Sequence, residues 1–567
     1  MDYSVFYLNG MRIIKHRALS KEDEMKFSDI KYERVSYEDV EHKFLGLIEK
    51  IRHCNDFEEI LKFINEINQI RNHVDTMKEY ASIRYSIDTT DELFCEENNY
   101  WDEYDPYFKK LDSVFYKTLL EKNIKKELVA EFGKQFYSIV ELKSKAFSES
   151  IVDLLQIENS LMSEYTKLLS SAKIEFDGRV CNLSDMAPYI GSSDREVRMR
   201  AIKLHTEFFE KNEESFDMIF DKLVEIRHEM ANKLGYDNFI ELGYMRMLRT
   251  DYSMKDIENL RKLVIEKYVP LANAIYLEQA NRINSEKFDY YDEGVHFSDG
   301  NARLIGNGEY IISNGAKMYN ELSPETSEFY SYLVNNELFD VKPKPNKAMG
   351  GYCTLLSEFK DPFIFGNFNG TVDDIDVLTH EIGHALQMYL SRDIDMPEIA
   401  FPTLDSCEIH SMSMEFFTYP WMNLFFGEDE EKYKKYHHDS ALKFIPYGTL
   451  VDHFQHIVYE NPTLSPSERK SIWRDLEKKY LPHREYSDLA FLENGGYWFR
   501  QGHIFKDPFY YIDYVLAQLC ALQFYEMSKL DYEKAWKKYI DICRVGGKYS
   551  FLDIVKIAGL ENPLNSI

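Results

Sequence analysis

The distribution of proline is the feature that most constrains the fold of this 567-residue chain. Before Pro270 only Pro106 and Pro188 occur, and the intervening sequence is dense in Glu, Lys, Leu and Ile at helical spacing. Proline removes a backbone donor and clashes inside a helix, so long proline-free stretches permit long helices. The chain also exceeds the usual size of one hydrophobic core. The sequence therefore predicts a mainly helical protein with at least two lobes.

Few segments of the chain have a sequence typical of β-strands, and each of them is short. Residues 173–181 predict a hairpin, and residues 308–312 predict a further strand. Residues 347–354 and 363–368 predict two more strands, close together in the sequence. The expected fold is helical with a small β-sheet.

Residues 380–384 have the sequence His-Glu-Ile-Gly-His. Positions i and i+4 of a helix lie on one face, so His380 and His384 can reach a single ion. Glu381 projects to the flank of that face, where its carboxylate can take a proton from water as a general base. Apolar residues at helical spacing between 375 and 389 form the opposite face. This pattern is typical of a hydrolytic zinc site.

Two histidines leave a tetrahedral zinc incomplete, because a catalytic site usually has three protein ligands and one water. Position i+8 is Met388, so the third ligand should come from another segment. A helix-like run that opens near Thr403 contains Asp405 and Glu408, and spacing does not distinguish between these two carboxylates. Glu415 lies two turns beyond Glu408, where it could either support the ligands or be an ordinary hydrogen-bonded carboxylate.

Asp376 lies one turn before His380 on the same face of the predicted helix. Its carboxylate could accept a ring N–H of His380 and so select the tautomer that binds metal. It could equally be a first-turn acid that favours the N-terminus of the helix. The sequence leaves both interpretations open.

A second cluster of polar and aromatic residues lies between residues 495 and 514. It contains two glycines, a histidine and several tyrosines: Gly495, Gly496, His503, Tyr510, Tyr511 and Tyr514. Hydrolysis of an amide builds negative charge on the carbonyl oxygen, and a donor in a dry cleft can stabilise it by about 3 to 4 kcal/mol. Glycine permits close approach of a peptide. The cluster is therefore a candidate for stabilising the oxyanion.

The two strands predicted within residues 347–354 and 363–368 precede the metal motif directly. An exposed strand edge beside a metal could pair with an extended peptide backbone and would depend little on side-chain identity. A fully paired internal sheet is equally compatible with the sequence.

Three segments together resemble the oligoendopeptidase F and Pz-peptidase branch of the thimet oligopeptidase family. They are Phe-Ile-Phe-Gly-Asn-Phe-Asn-Gly-Thr at 363–371, Asp-Ile-Asp-Val-Leu-Thr-His-Glu at 374–381, and Glu-Ile-His-Ser-Met-Ser-Met-Glu-Phe-Phe at 408–417. The resemblance extends from about Lys173 to the C-terminus and is looser towards the N-terminus. It implies an α-helical clamshell around a deep substrate cleft, which periodicity by itself does not indicate.

The resemblance also implies the roles of individual residues. The implied zinc ligands are His380, His384 and Glu408, with one Zn²⁺ per chain and Glu381 as the catalytic base. His503, Tyr511 and Tyr514 match substrate-contacting residues, and the variable gap in the family means that Tyr510 and Tyr511 could exchange roles. The residues expected to bind the substrate at the strand edge are Gly350, Gly351, Tyr352, Phe365, Gly366 and Asn367.

The resemblance also bears on the start of the chain. Family members often begin with a sequence like that at residues 25–34, so residues 1–24 are a possible N-terminal extension. We expect an N-terminal helical lobe over residues 25–190 and a catalytic region over residues 191–567, with the two packed closely together.

Composition limits the setting in which the chain works. A formal net charge of −29 argues against a nucleic-acid surface. Seven cysteines without paired spacing predict a reducing compartment. The chain contains no run of about 18 apolar residues, so no transmembrane helix is predicted. The predicted location is the cytoplasm. The oligomeric state is left open.

The leading hypothesis is a zinc-dependent endopeptidase that hydrolyses internal bonds of short, unstructured oligopeptides. The alternative enzyme is a peptidyl-dipeptidase with the same zinc chemistry. A third hypothesis is a peptide-binding protein without catalysis, against which Glu381 argues, because a purely structural zinc site needs no general base.

Overall fold

The computed structural model describes residues 26–565, together with the backbone of two short strands, Val5–Leu8 (β1) and Met11–Ile14 (β2). These two strands pair antiparallel. The predicted N-terminal extension at residues 1–24 otherwise lies outside the described residues. Helices make up most of the described chain, and the prediction of a mainly helical fold with small sheets is confirmed.

The first helices follow one another with short connections. They are α1 (Tyr37–His53), α2 (Phe57–Ile87), α3 (Glu92–Glu121), α4 (Lys125–Lys145) and α5 (Val152–Ser170). Ser36, Asp56 and Asp91 precede α1, α2 and α3, and each side chain accepts a backbone N–H of the first turn. With 31 residues in α2 and 30 in α3, the expectation of long helices is confirmed.

The predicted hairpin at 173–181 is confirmed as β3 (Ile174–Phe176) and β4 (Arg179–Cys181). The helices that follow are α6 (Ala187–Ile190), α7 (Arg195–Lys211), α8 (Glu213–Lys233), α9 (Phe239–Arg246), α10 (Met254–Leu263), α11 (Val269–Arg282), α12 (Gly308–Leu322) and α13 (Pro324–Asn335). A π-helical turn, Val264–Tyr268, joins α10 to α11.

The strand predicted at residues 308–312 is wrong, because these residues form the first turns of α12. The Asn307 side chain accepts the Tyr310 N–H at 3.1 Å and caps this helix. Ile311, Gly315 and Met318 are buried along one side of it. The adjacent isoleucines suggested a strand, but capping and a helical burial pattern outweigh that local preference.

A three-stranded sheet precedes the helix of the metal motif. Its strands are β5 (Phe339–Asp340), β6 (Tyr352–Leu356) and β7 (Asp361–Phe365), in the order β5-β7-β6. The central strand β7 is parallel to β5, antiparallel to β6 and fully buried. β6 is an outer strand, and most of its residues are partly exposed. The two strands predicted before the motif are thus confirmed.

The remaining helices carry the metal motif and enclose it. They are α14 (Asp373–Ser391), α15 (Pro397–Ala400), α16 (Leu404–Phe417), α17 (Asn423–Phe426), α18 (Glu430–Glu460), α19 (Pro466–Tyr480), α20 (Ala490–Glu493), α21 (Gly502–Lys506), α22 (Tyr511–Leu530), α23 (Tyr532–Val545) and α24 (Phe551–Ala558). α16 packs against both α14 and α22. Short 3₁₀ turns occur at Phe27–Asp29, Glu149–Ile151, Ser184–Met186, Tyr290–Asp292, Tyr419–Trp421, Gly427–Asp429 and Gly496–Arg500.

Two hydrophobic cores organise the described chain. The first is formed mainly by α1 to α4 and the second by residues from Ile151 onwards. β7 contributes to both, because side chains alternate along a strand: Phe363 and Phe365 belong to the first core and Ile364 to the second. Residues 151–190 therefore pack in the second core, and the lobe boundary at residue 190 stays a prediction. None of the helices in residues 26–565 is long and apolar enough to cross a bilayer.

Candidate metal centre and active site

His380 and His384 lie one turn apart on α14, and Glu408 on α16 faces both rings. Oε2 of Glu408 lies 3.2 Å from Nε2 of His380 and 3.4 Å from Nε2 of His384. One possible ligand atom from each of the three residues lies within 4.8 Å of the others. No other group of three His, Cys, Asp or Glu side chains among residues 26–565 meets in this way. The arrangement has the size and donor set of a metal site.

Asp405, the carboxylate that spacing left as an alternative, has other partners. Its Oδ1 accepts hydrogen bonds from the Thr403 hydroxyl at 2.5 Å and from the Ser406 N–H at 2.7 Å. Asp405 therefore acts within the first turn of α16, while Glu408, almost one turn later, faces α14.

Gly383 permits the close contact between α14 and α16. A Cβ atom at this position would lie 2.6 Å from the carbonyl oxygen of His410 and 2.6 Å from Cα of Ser411. Both neighbours are backbone atoms, so neither could rotate away. The glycine between the two histidines thus lets the backbones approach closely enough for the Glu408 side chain to reach both rings.

Each candidate ligand has a further hydrogen-bond partner. Nδ1 of His380 lies 2.7 Å from Oε1 of Glu415, and Nδ1 of His384 lies 3.0 Å from Sγ of Cys407. Glu408 accepts from the Ser411 hydroxyl at 2.8 Å through Oε2 and from the Tyr510 hydroxyl through Oε1. With both Nδ1 atoms engaged, Nε2 of each ring is directed towards the other ligands.

The hydrogen-bond chain that starts at His380 extends to α18. Oε2 of Glu415 lies 2.7 Å from Nε2 of His437, whose Nδ1 lies 2.7 Å from the Tyr419 hydroxyl. The sequence left open whether Asp376 holds the His380 ring, and in the structure its carboxylate accepts from the Tyr433 hydroxyl at 2.6 Å. Burial raises the pKa of the Asp376 carboxyl to about 7.

Glu381 is buried beside the histidines, and its Oε2 has no hydrogen-bond partner among the described residues. Burial raises the pKa of this carboxyl. A Cβ on Gly351 would lie 3.6 Å from Oε1 of Glu381 and 3.4 Å from the Phe365 carbonyl oxygen. The loop that enters β6 is therefore next to the candidate base.

Residues 347–351 form a loop before β6, and hydrogen bonds to Gly366 and Asn367 brace it beside the metal centre. Nδ2 of Asn367 donates to the carbonyl oxygens of Ala348 at 2.6 Å and Gly350 at 3.2 Å. Lys347 Nζ donates to the Gly366 carbonyl oxygen at 2.6 Å. The rings of Tyr352 and Phe365 stack 4.9 Å apart. The six residues expected to contact substrate thus lie in one cluster, in which Gly351 is next to Glu381. No described strand pairs with the outer edge of β6.

His503 and the tyrosines come together on α21 and the start of α22. Nε2 of His503 lies 3.2 Å from the Tyr514 hydroxyl, and the ring centre of Tyr511 lies 5.1 Å from that of His503. The rings of Tyr510 and Tyr514 stack at 4.9 Å. Burial raises the pKa of the Tyr514 phenol and lowers the pKa of His503, so both groups are neutral near pH 7.

Tyr510 and Tyr511 differ in their contacts. The Tyr510 hydroxyl donates to Glu408, whereas the Tyr511 ring packs against Phe444 and Tyr447. Tyr510 is therefore the tyrosine in direct contact with a candidate metal ligand, a placement that the sequence left open.

Sequence analysis missed several residues that support the site. His437 and Tyr419 extend the hydrogen-bond chain from Glu415. Nε2 of Gln501 lies 3.0 Å from Nδ1 of His503, and Oε1 of Gln501 accepts from the Tyr447 hydroxyl at 2.8 Å. Gln501 stands two residues before His503 and could have been suspected from that position. His437, Tyr419 and Tyr447 carry no local signal, because only tertiary packing brings them near the metal centre.

Most of this chain is similar to known protein families and solved structures. The model of the peptidase family M3 N-terminal domain matches residues 27–147, and the model of peptidase family M3 matches residues 319–566. A solved structure of Pz peptidase A with inhibitor 2 is 47% identical, with a TM-score of 0.94 over 95% of this chain and 96% of that chain.

Curated relatives are more distant. Oligopeptidase PepF of Bacillus subtilis (strain 168) is 24% identical over 444 residues, which are 72% of this chain and 63% of the relative. Oligoendopeptidase F, chromosomal, of Lactococcus lactis subsp. cremoris is 20% identical over 393 residues, which are 65% of this chain and 61% of the relative. The matches thus span less than two thirds of these two relatives.

Together these similarities and the fold define a peptidase of family M3, to which the chain belongs. Within that family it lies in the oligoendopeptidase F and Pz-peptidase branch, and the resemblance identified from the sequence is confirmed.

Proposed function

We propose that this protein is a zinc-dependent endopeptidase that hydrolyses internal bonds of short, unstructured oligopeptides. The observation that carries the proposal is the meeting of His380, His384 and Glu408 beside Glu381, whose buried carboxylate oxygen has no partner among the described residues. This oxygen accepts no hydrogen bond that would fix the fold, and its position next to three possible metal ligands suits a general base.

The residues present fit zinc. Two imidazole nitrogens and one carboxylate oxygen are a ligand set found in catalytic zinc sites, and Glu415 and Cys407 hold the far nitrogens of the two rings. His380, His384 and Glu408 would hold the ion. When bound, Zn²⁺ would polarise the peptide carbonyl and lower the pKa of water towards about 7.

Glu381 would accept the proton of the attacking water at Oε2. Burial raises the pKa of Glu381, so its carboxylate is a stronger base than an exposed one. The same oxygen can then deliver the proton to the amine that leaves. One side chain thus serves both proton transfers, without a second acid in the site.

Tyr514 and His503 would stabilise the carbonyl oxygen as it gains negative charge. Because burial raises its pKa, the Tyr514 phenol keeps its proton near pH 7 and can donate it in a hydrogen bond. His503 lies 3.2 Å from that hydroxyl and is held on its other side by Gln501. Tyr514 and His503 are therefore hydrogen-bonded to each other and would not act as independent donors.

The outer edge of β6 would bind the substrate backbone. Gly351 precedes this strand and lies against Glu381, so a peptide paired with β6 would pass the candidate base. Recognition through backbone atoms predicts broad sequence preference. The cytoplasmic location and the absence of nucleic-acid partners stay predictions from the sequence.

A peptide blocked at both ends and carrying a fluorophore and quencher tests the proposal. We expect the zinc-loaded wild type to cleave it. Glu381→Gln should retain zinc but lose about 100- to 10,000-fold in kcat, since the general base is removed. Glu431→Gln changes an exposed glutamate of α18 and serves as the control. Equal cleavage by wild type and Glu381→Gln would exclude this mechanism, and cleavage only of peptides with a free C-terminus would indicate a peptidyl-dipeptidase.

A further inference from the structure

The turn between α21 and α22 contains a residue in an uncommon backbone conformation. Phe509 has a φ of +72°, in the left-handed region, where a Cβ atom is sterically unfavourable. Eight non-glycine residues among residues 26–565 have positive φ, and Phe509 is the only buried one of these eight. A bulky residue keeps this conformation only where its surroundings impose it, and such residues cluster at functional sites.

The local sequence of the turn would normally place glycine at position 509. The Tyr510 N–H donates to the Asp507 carbonyl oxygen at 3.1 Å, which closes a β-turn over residues 507–510. Pro508 at the second position and a positive φ at the third are features of a type II turn, whose third position favours glycine. Contacts outside the turn must therefore stabilise phenylalanine there.

The ring of Phe509 supplies one of these contacts. It is fully buried, and its centre lies 5.0 Å from that of His456 and 5.5 Å from that of Tyr459, both on α18. Gly243 of α9 leaves the space for it, because a Cβ at this position would lie 2.5 Å from Cδ2 of Phe509. The ring thus anchors the turn between α9 and α18.

Side chains from outside the turn also hold both peptide groups of Phe509. Its N–H donates to Oε1 of Gln455 on α18 at 3.1 Å. Its carbonyl oxygen accepts from Nη2 of Arg249, and the same nitrogen donates to Oδ1 of Asp513 at 2.8 Å. The side chains of Arg249 and Asp513 are each only 1% exposed. The guanidinium therefore connects the turn to the first turn of α22.

Both ends of the turn lead to residues of the candidate active site. At its start, the Asp507 N–H donates to the carbonyl oxygen of His503 at 3.0 Å. At its end is Tyr510, whose hydroxyl donates to Glu408. Tyr514, one helical turn later, lies 3.2 Å through its hydroxyl from Nε2 of His503. A different φ at position 509 would rotate α22 relative to α21 and change these distances.

We propose that Phe509 is a positioning residue for the tyrosines of α22. Its left-handed backbone conformation, held by Arg249 and Gln455, directs Tyr510 and Tyr514 into the active site. This inference rests on the proposed function, in which the Tyr514 phenol donates to the developing oxyanion. A hydrogen bond to an oxyanion depends steeply on distance and direction, so a small rotation of α22 would reduce kcat.

Phe509→Ala and Phe509→Gly separate the backbone conformation from the buried ring. Both variants lack the ring, but only glycine adopts positive φ without a steric cost. At saturating zinc, Phe509→Ala should lose about 100-fold in kcat on the blocked peptide, as for a lost oxyanion donor. Phe509→Gly should keep about tenfold more activity than Phe509→Ala. Equal losses, or greater activity in Phe509→Ala, would overturn the inference.

Phe44→Ala is the control for loss of a buried ring. Phe44 is 1% exposed and belongs to the first core, so this variant should lower stability and leave kcat unchanged. A double-mutant cycle with Tyr514→Phe then tests the route of the effect. Once the phenol is absent, Phe509→Ala should change kcat by less than about threefold. Two full losses that multiply would show that Phe509 does not act through Tyr514.

Gln455→Leu repeats the cycle with the ring in place, so the test holds even where the Phe509 variants do not fold. It removes the acceptor of the Phe509 N–H and should lower kcat about tenfold, but not in the Tyr514→Phe background. Gln523→Leu is the matched control, because Oε1 of Gln523 accepts the Glu561 N–H at 2.8 Å. Equal kcat in Gln455→Leu and wild type would contradict the inference. Failure of the proposed function appears separately, as absence of cleavage by the zinc-loaded wild type.

Discussion

His380 on α14 and His437 on α18 share one carboxylate. Oε1 of Glu415 lies 2.7 Å from Nδ1 of His380, and Oε2 of Glu415 lies 2.7 Å from Nε2 of His437. All three side chains are buried or largely so. The orientation of a candidate metal ligand therefore depends on a helix that contributes no ligand itself.

Replacing Glu415 by Gln should weaken zinc binding. The amide offers one oxygen where two imidazoles need two acceptors, so one ring loses its partner. We expect metal affinity to fall about 10- to 100-fold, measured by competition with a chromogenic chelator. Glu431→Gln is the exposed control. Unchanged affinity in Glu415→Gln would show that the shared carboxylate does not hold His380.

Gly383→Ala should separate α14 from α16. The added methyl group would meet the backbone of His410 at 2.6 Å, and such overpacking typically costs about 1 to 3 kcal/mol of stability. Zinc affinity should fall as well, because Glu408 moves away from the rings. Denaturant unfolding and metal competition check the two effects. Gly46→Ala on α1, with nothing within 4 Å of its added Cβ, should instead be neutral or stabilising.

Tyr514→Phe should reduce kcat while leaving zinc content and KM nearly unchanged. Loss of one oxyanion donor typically costs about 100- to 1,000-fold in kcat. Steady-state kinetics on the blocked peptide measure the effect. Tyr549→Phe, on an exposed tyrosine, is the matched control. An equal fall in activity for both variants would remove Tyr514 from the mechanism.

Tyr510→Phe should produce a different defect from Tyr514→Phe. The Tyr510 hydroxyl donates to Glu408, so its loss should weaken zinc binding rather than slow the chemical step alone. We expect activity to recover when excess zinc is added to the assay. If activity stays low at saturating zinc, Tyr510 contacts the substrate instead.

Acid should destabilise the junction between the two cores. Burial alone would raise the pKa of the Glu398 carboxyl, but Arg71 at 2.5 Å holds it at about 2. The pKa of Glu398 in the folded protein is thus below the pKa of about 4.3 that a glutamate has in the unfolded chain. The stabilisation is therefore fully present above about pH 4.3 and is lost as the pH falls towards 2. The contribution is about 3 kcal/mol.

Urea unfolding of the metal-free protein between pH 7 and pH 3 measures this contribution. Glu398→Gln should lower stability at pH 7 and flatten its decline in acid. Glu207→Gln removes an exposed pair with Lys211 and should follow the wild-type profile. A Glu398→Gln profile parallel to that of the wild type would contradict the assignment.

Much of the fold around the metal centre was accessible from the sequence. The helix that carries His380 and His384, the helix from Thr403 onwards and the strands before them follow from spacing and from flanking turn residues. These features are local, because helical periodicity places residues i and i+4 on one face whatever surrounds them. The strand predicted at 308–312 failed because a helix cap outweighed the preference of two isoleucines.

The sequence by itself thus determined the chemical groups: two histidines one turn apart, a neighbouring carboxylate and a downstream segment with candidate third ligands. Spacing left Asp405 and Glu408 open as the third ligand, and the family resemblance implied Glu408. Only the tertiary structure shows Glu408 beside the two histidines, and only the tertiary structure brings Glu415 rather than Asp376 to the His380 ring. The physical reason is that spacing fixes which face a side chain occupies, whereas packing between distant segments decides what that face meets.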